Sequence, residues 1–222
     1  MRSAAGVLYD LSPRVDGRLA VWPGDTPPAR EVLLDLERGD TVTLSTLRAT
    51  VHLGAHADAP SHYGRGAASI DVQPLDPYLG PCEVVRVAVG AGELVAARAL
   101  PGALRAERVL IATGTFPDPA RFRTDFAALD PGAVEHLARR GVRLVGIDTP
   151  SVDRFDSKDL PAHRACLAHD LAILEGLVLD GVPEGVYELI ALPLRLAGFD
   201  ASPVRAVLRA ASAESGLEHE RP

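Results

Sequence analysis

Cysteine is scarce: only Cys82 and Cys166 occur in 222 residues. They could pair only with each other, nothing suggests a disulfide framework, and free buried thiols in a reducing compartment are expected. No apolar run reaches the roughly 18–20 residues of a membrane span. The first residues show no apolar core followed by a cleavage site. A cytoplasmic protein with no membrane partner is therefore expected. The formal charge of −7 is spread along the chain with no block of one sign, which argues against nucleic acid as a partner. Several signatures of chemistry are missing too. There is no Walker motif, no Gly-x-Gly-x-x-Gly and no Gly-x-Ser-x-Gly elbow, so nucleotide binding by those loops and serine-hydrolase chemistry have no support. No repeat of 20–50 residues and no low-complexity linker is evident.

What is present is a globular composition, 47% apolar and 24% charged, long enough to bury a substantial core. A single domain over 1–211 is expected, with 212–222 a frayed polar tail. Strands are expected over 6–11, 30–36, 41–51, 82–89, 108–113, 143–147, 171–179 and 187–194. Short helices are expected over 93–99, 131–140 and 161–169, where Pro or Gly marks their ends. Residues 203–211 suit either state. A loop rich in Pro and Gly follows the first strand and carries Trp22, the only tryptophan. Many strands with few helices predict an α/β, β-rich domain.

The chemistry concentrates in His52-Leu53-Gly54-Ala55-His56-Ala57-Asp58-Ala59-Pro60-Ser61-His62, which holds three of the seven histidines. Imidazole and carboxylate are ligands for zinc and related divalent ions, and small spacers let the backbone crowd around one. His52, His56 and Asp58 share parity, so on an extended strand they face one side. Gly54 and Pro60 argue against a helix there. Three protein ligands with an open position is the arrangement of a catalytic zinc. His62, beyond Pro60, reads as a general acid/base, with a fourth ligand or a supporting group as the alternatives. A second group lies downstream: His163, His169 and Glu175. Glu175 interrupts an apolar run, and a carboxylate in a buried strand needs a cation or several donors. An exposed edge strand is the competing reading. Asp148 and Asp153 follow a strand as Asp148-Thr149-Pro150-Ser151-Val152-Asp153, a pattern commonly explained by turn chemistry.

Taken with Asp10-Leu11-Ser12, Trp22-Pro23-Gly24-Asp25, Gly146-x-Asp148-x-x-Ser151-x-Asp153, Ser157-Lys158-x-Leu-Pro-x-His163 and Ile173-Leu174-Glu175-Gly176-Leu177, the histidine motif resembles the cyclase family of metal-dependent hydrolases. Within that family the likeness is to the bacterial kynurenine formamidase (arylformamidase) branch. The resemblance implies a compact domain of the swivelling β/β/α kind, a homodimer, and two Zn2+ per subunit, with Mn2+ as a substitute. His52, His56 and Asp58 would bind one ion. His163, Glu175 and a bridging Asp58 would bind the other. His62 would move the proton, and Trp22 would contact the aromatic part of N-formyl-L-kynurenine, which is hydrolysed to L-kynurenine and formate. Ala55 suits the formamidase branch, whereas Leu53 is bulkier than expected and His169 has no place in the pattern. Isatin or a small cyclic amide is the alternative substrate within the family. A non-catalytic metal-storage protein is the alternative outside it.

Overall fold

A computed structural model describes residues 6–210; the tail expected over 212–222 lies outside the described residues. Sixteen elements matter, in chain order. They are β1 (Leu8–Asp10), β2 (Ala29–Leu34), β3 (Leu44–Arg48), β4 (His56–Asp58), α1 (Pro60–Tyr63), β5 (Leu79–Arg86), β6 (Leu94–Val95) and β7 (Arg108–Ala112). These are followed by β8 (Ala128–Leu129), α2 (Pro131–Ala138), β9 (Leu144–Ile147), α3 (Pro161–Ala168), β10 (Ala172–Glu175), β11 (Gly185–Ile190), β12 (Ala201–Pro203) and β13 (Val207–Ala210). Nine strands form one sheet in the order β1-β13-β11-β5-β7-β9-β10-β4-β12. Its middle, β5-β7-β9-β10, is parallel, and both flanks are antiparallel. The expected β-rich α/β domain is what forms.

The central strands read as unbroken apolar runs because both faces of the sheet are covered. Val109, Ile111, Val145, Ile147 and Ile173 point to the side where Ala133, Val134 and Leu137 of α2 and Ala162 and Cys166 of α3 pack. Leu110, Ala112, Leu144 and Leu174 point the other way, into a second core with Cys82, Val84 and Leu189. The two cysteines thus lie in different cores on opposite faces, and both are free and buried. Burial raises both thiol pKa values well above the usual range. Among the described residues no helix is long and apolar enough to cross a membrane.

Two local expectations change and one open reading is decided. Residues 93–99 do not form a helix; they give the short strand β6, paired with β8, and a 3-10 turn at Ala97–Ala99. Seven residues repay helix nucleation poorly, and pairing Leu94 and Val95 with a neighbouring strand is the better use of them. Of residues 203–211, left open between strand and helix, the described ones give the end of β12 and the whole of β13, and 211 lies outside the described residues. The strand expected over 41–51 stops at Arg48, and Thr50 N–H then bonds Thr26 O at 3.0 Å. His52 is consequently not on a strand. Strands β2 and β3 pair only with each other, and every residue of both is exposed.

Candidate metal centre

Strand pairing joins the two chemical clusters. Antiparallel β10 and β4 place Glu175 opposite His56 and Ile173 opposite Asp58. His56 and Asp58, two apart, face the same way as the expected parity requires. Ile173 belongs to the core beneath α2 and α3, so this face of the sheet looks at α3 and its buried His163. Glu175 is on an inner strand and buried, not at an exposed edge. His52 arrives by another route. Gly54 takes φ +56, a left-handed turn that breaks the single extended strand expected from His52 to Asp58. The turn brings His52 back beside Asp58 all the same.

The two carboxylates lie between the imidazoles. Asp58 Oδ1 is 3.1 Å from His52 Nδ1 and 3.5 Å from His56 Nε2, while its Oδ2 is 3.3 Å from His163 Nε2. Glu175 repeats the division, with Oε2 3.4 Å from His56 Nε2 and Oε1 3.5 Å from His163 Nε2. The outward nitrogens fix the tautomers. His56 Nδ1–H donates to the Gly54 carbonyl at 2.8 Å, and His163 Nδ1–H donates to Asp153 Oδ2 at 2.7 Å. Each Nε2 therefore turns a lone pair toward two carboxylates. Such a cluster of acceptors is stable only around a cation, either a proton or a metal. His56 Nε2 and Asp58 Oδ1 are buried without a hydrogen-bond partner, a cost of about 1–3 kcal/mol each unless something fills the gap. The ligand atoms of His52, His56 and Asp58 lie within 4.8 Å of one another. Imidazole and carboxylate suit zinc or manganese, so the residues present fit divalent metal.

Electrostatics point the same way. Burial by itself lowers the His52 pKa, but Asp58 and Asp200 on its two nitrogens outweigh that and hold it up at about 9. For His163, burial is likewise overridden by Asp153 and Asp58, which raise it to about 10. Burial works to raise the Asp58 carboxyl, yet His163 and His52 keep it well below the usual carboxylate range.

Asp153, noted in the sequence with Asp148 as turn chemistry, and Asp200, not noted there, support the cluster. Asp153 is neither a ligand nor simple turn chemistry. Its carboxylate accepts from Ala162 N and His163 N at 2.9 and 3.0 Å, capping α3, as well as from the His163 ring. Leu160, the residue at the cap position, has φ 45 and offers no side-chain bond. Glu175 Oε1 accepts from Val152 N at 2.6 Å. Asp148 is structural: the Thr113-Gly114 turn donates Thr113 N, Thr113 Oγ1 and Gly114 N to its carboxylate. Asp200, just before β12, accepts from His52 Nε2 at 3.1 Å and His62 Nδ1 at 3.2 Å on the same oxygen. Nothing in the local pattern around Asp200 marked it. The β12–β4 pairing, Ala201 opposite Asp58, puts it there. His169 is exposed at the end of α3, and the ligand groups formed by the other histidines do not include it.

A cavity of about 480 Å³ opens over the cluster, lined by His52, His56, His62, His163 and Glu175 on one side and by Trp22, Phe116 and Phe122 on another. Trp22 packs against Phe155 with ring centres 4.9 Å apart and meets Phe122 edge-on at 5.5 Å. Asp25 and Asp148 also reach the cavity, and none of the described residues lining it is Lys or Arg. All the expected site residues thus meet at one place: His52, His56, Asp58, His163 and Glu175 in the cluster, His62 above it, and Trp22 across the cavity.

The family model Cyclase matches residues 9–154. Among solved structures, one described as a potential metal-dependent hydrolase with cyclase activity is 29% identical, with a TM-score of 0.78, over 92% of this chain and 98% of that one. A predicted metal-dependent hydrolase from Bacillus stearothermophilus gives the same identity, TM-score and coverage. Isatin hydrolase A from Labrenzia aggregata, bound to benzyl benzoate, shares the fold at 22% identity and a TM-score of 0.75, over 93% of this chain and 94% of that one.

Proposed function

The chain belongs to the cyclase family, and on that premise we propose that it is a metal-dependent amidohydrolase that converts N-formyl-L-kynurenine to L-kynurenine and formate. What supports this is one adjacency: an aromatic wall of Trp22, Phe116 and Phe122 faces a cluster of imidazoles and carboxylates that demands a cation. His52, His56 and Asp58 would hold one ion, and His163, Glu175 and Asp58 a second, with Zn2+ in both positions or Mn2+ in its place. A bound divalent ion supplies Lewis acidity, polarising a carbonyl oxygen and lowering the pKa of water from about 15.7 toward 7.

The chain's own residues do the rest. Trp22 takes the aryl ring and so directs the small formyl group at the ligand cluster. His62, whose Nδ1 is held by Asp200, works through Nε2. It accepts a proton from the attacking water and passes it to the aniline nitrogen as the C–N bond breaks. A neutral ring amide such as isatin is the second reading. The lack of Lys or Arg among the lining residues favours it, since kynurenine carries a carboxylate. Steady-state assays on N-formyl-L-kynurenine, formanilide, isatin and small lactams, with metal content measured on the same sample, separate the two. The formyl substrate should have the highest kcat/KM. A higher value for isatin selects the second reading, and no turnover by metal-loaded protein on any of them ends the hydrolase proposal.

The same proposal includes a homodimer. The β2–β3 hairpin exposes Leu33, Leu44 and Leu47, and a two-stranded ribbon alone in water is marginal at best. A second copy covering it would bury these side chains. Sedimentation equilibrium should give a dimer, and Leu47→Glu should shift it toward monomer.

A further inference from the structure

We infer that Asp200 is the positioning residue for His62 and ties it to the metal cluster through a single carboxylate oxygen. The inference rests on the reading of His62 as the proton carrier, and its geometry is independent of the substrate. Asp200 Oδ2 lies 3.2 Å from His62 Nδ1 and 3.1 Å from His52 Nε2. The rings of His52 and His62 are stacked at a tilt, with centres 4.3 Å apart. A carboxylate only accepts, so both nitrogens must donate to it. His62 is thereby held as the Nδ1–H tautomer, with Nε2 free to take and give a proton. His52 is held as the Nε2–H tautomer, with Nδ1 aimed at Asp58. Both roles need an acceptor at this one point, and a carboxylate also stabilises the imidazolium that exists between accepting the water proton and releasing it. The backbone fixes the acceptor's place: Ala59 N–H donates to Asp200 O at 2.8 Å, three residues before His62. This oxygen therefore joins the ligand shell to the proton carrier, so whatever orders His52 also orders His62.

The test uses zinc-loaded full-length protein and the variants Asp200→Asn, Asp200→Glu and His62→Ala. Nitrogen-15 spectra of histidine-labelled protein, assigned with His62→Ala, should show His62 protonated at Nδ1 in the wild type. In Asp200→Asn it should be a mixture of tautomers. On formanilide, Asp200→Asn should lower kcat by roughly 10–100-fold with little change in KM, and Asp200→Glu should recover part of it. The loss should shrink on p-nitroformanilide, whose leaving group needs less protonation. An unchanged His62 tautomer in Asp200→Asn overturns the inference, as does an equal loss on both anilides. Because the spectra involve no substrate, a wild-type protein inactive on aryl formamides would refute the proposed reaction and leave the tautomer to decide the role of Asp200.

Discussion

Replacing Gly176 by alanine should damage the metal cluster without touching any ligand. Gly176 follows Glu175 at φ +64, and a Cβ built on it falls 2.1 Å from Gly54 O, where contacts under 3.0 Å do not occur. The neighbour is backbone and cannot rotate away, so the two segments must part by roughly 1 Å. Gly54 O is also the acceptor that holds the His56 ring, so the displacement reaches a ligand directly. Gly181 is a matched control, with φ +72 and nothing within 4 Å of its Cβ position. Gly181→Ala should cost only the left-handed penalty of about 1–2 kcal/mol. Gly176→Ala adds overpacking of about 1–3 kcal/mol, giving a total of about 2–5 kcal/mol and a fall in Tm on the order of 10 °C for a chain of this size. Zinc affinity should fall roughly 10–100-fold, as when a ligand's supporting partner is lost. Thermal melts of the metal-free forms and competition titrations with a zinc chelator measure both effects. If Gly176→Ala matched Gly181→Ala in Tm and bound zinc like the wild type, the close approach would not be what sets the cluster.

Four other outcomes are expected. His62→Ala should lower kcat by roughly 10²–10⁴ while metal content stays near that of the wild type; loss of metal on dialysis would make it a ligand instead. Asp153→Ala should remove both the α3 cap and the hold on His163, costing about 0.5–2 kcal/mol in stability and 10–100-fold in zinc affinity; unchanged affinity by chelator competition would contradict that role. In the metal-free protein His52 and His163 titrate high, at about 9 and about 10. Both are therefore protonated near pH 7, and a metal must displace those protons. Apparent zinc affinity should rise as pH goes from 6.5 to 8.5, and calorimetry in buffers of different ionisation heat should show net proton release; a flat profile would contradict the assignment. Cys82 and Cys166 are buried with raised pKa values, so a thiol reagent should label neither in the native protein and both in denaturant.

The alternation of β4, the apolar runs of β7 and β9 and the Pro-started helices α2 and α3 are local properties, and the sequence determined them. It also marked the candidate residues, because a carboxylate inside an apolar run such as the one holding Glu175 stands out as needing a cation or several donors. The failure at 93–99, and the reading left open at 203–211, came where propensity was weak and a partner strand decided the outcome. Nothing local says that Glu175 pairs with His56, or that the Gly54 turn returns His52 to a carboxylate its strand parity could not deliver. The register between strands more than a hundred residues apart is set by burial of whole sheet faces. That is why Asp153 and Asp200, ordinary loop residues in the sequence, become the groups that hold His163 and His62 only once the chain has closed around them.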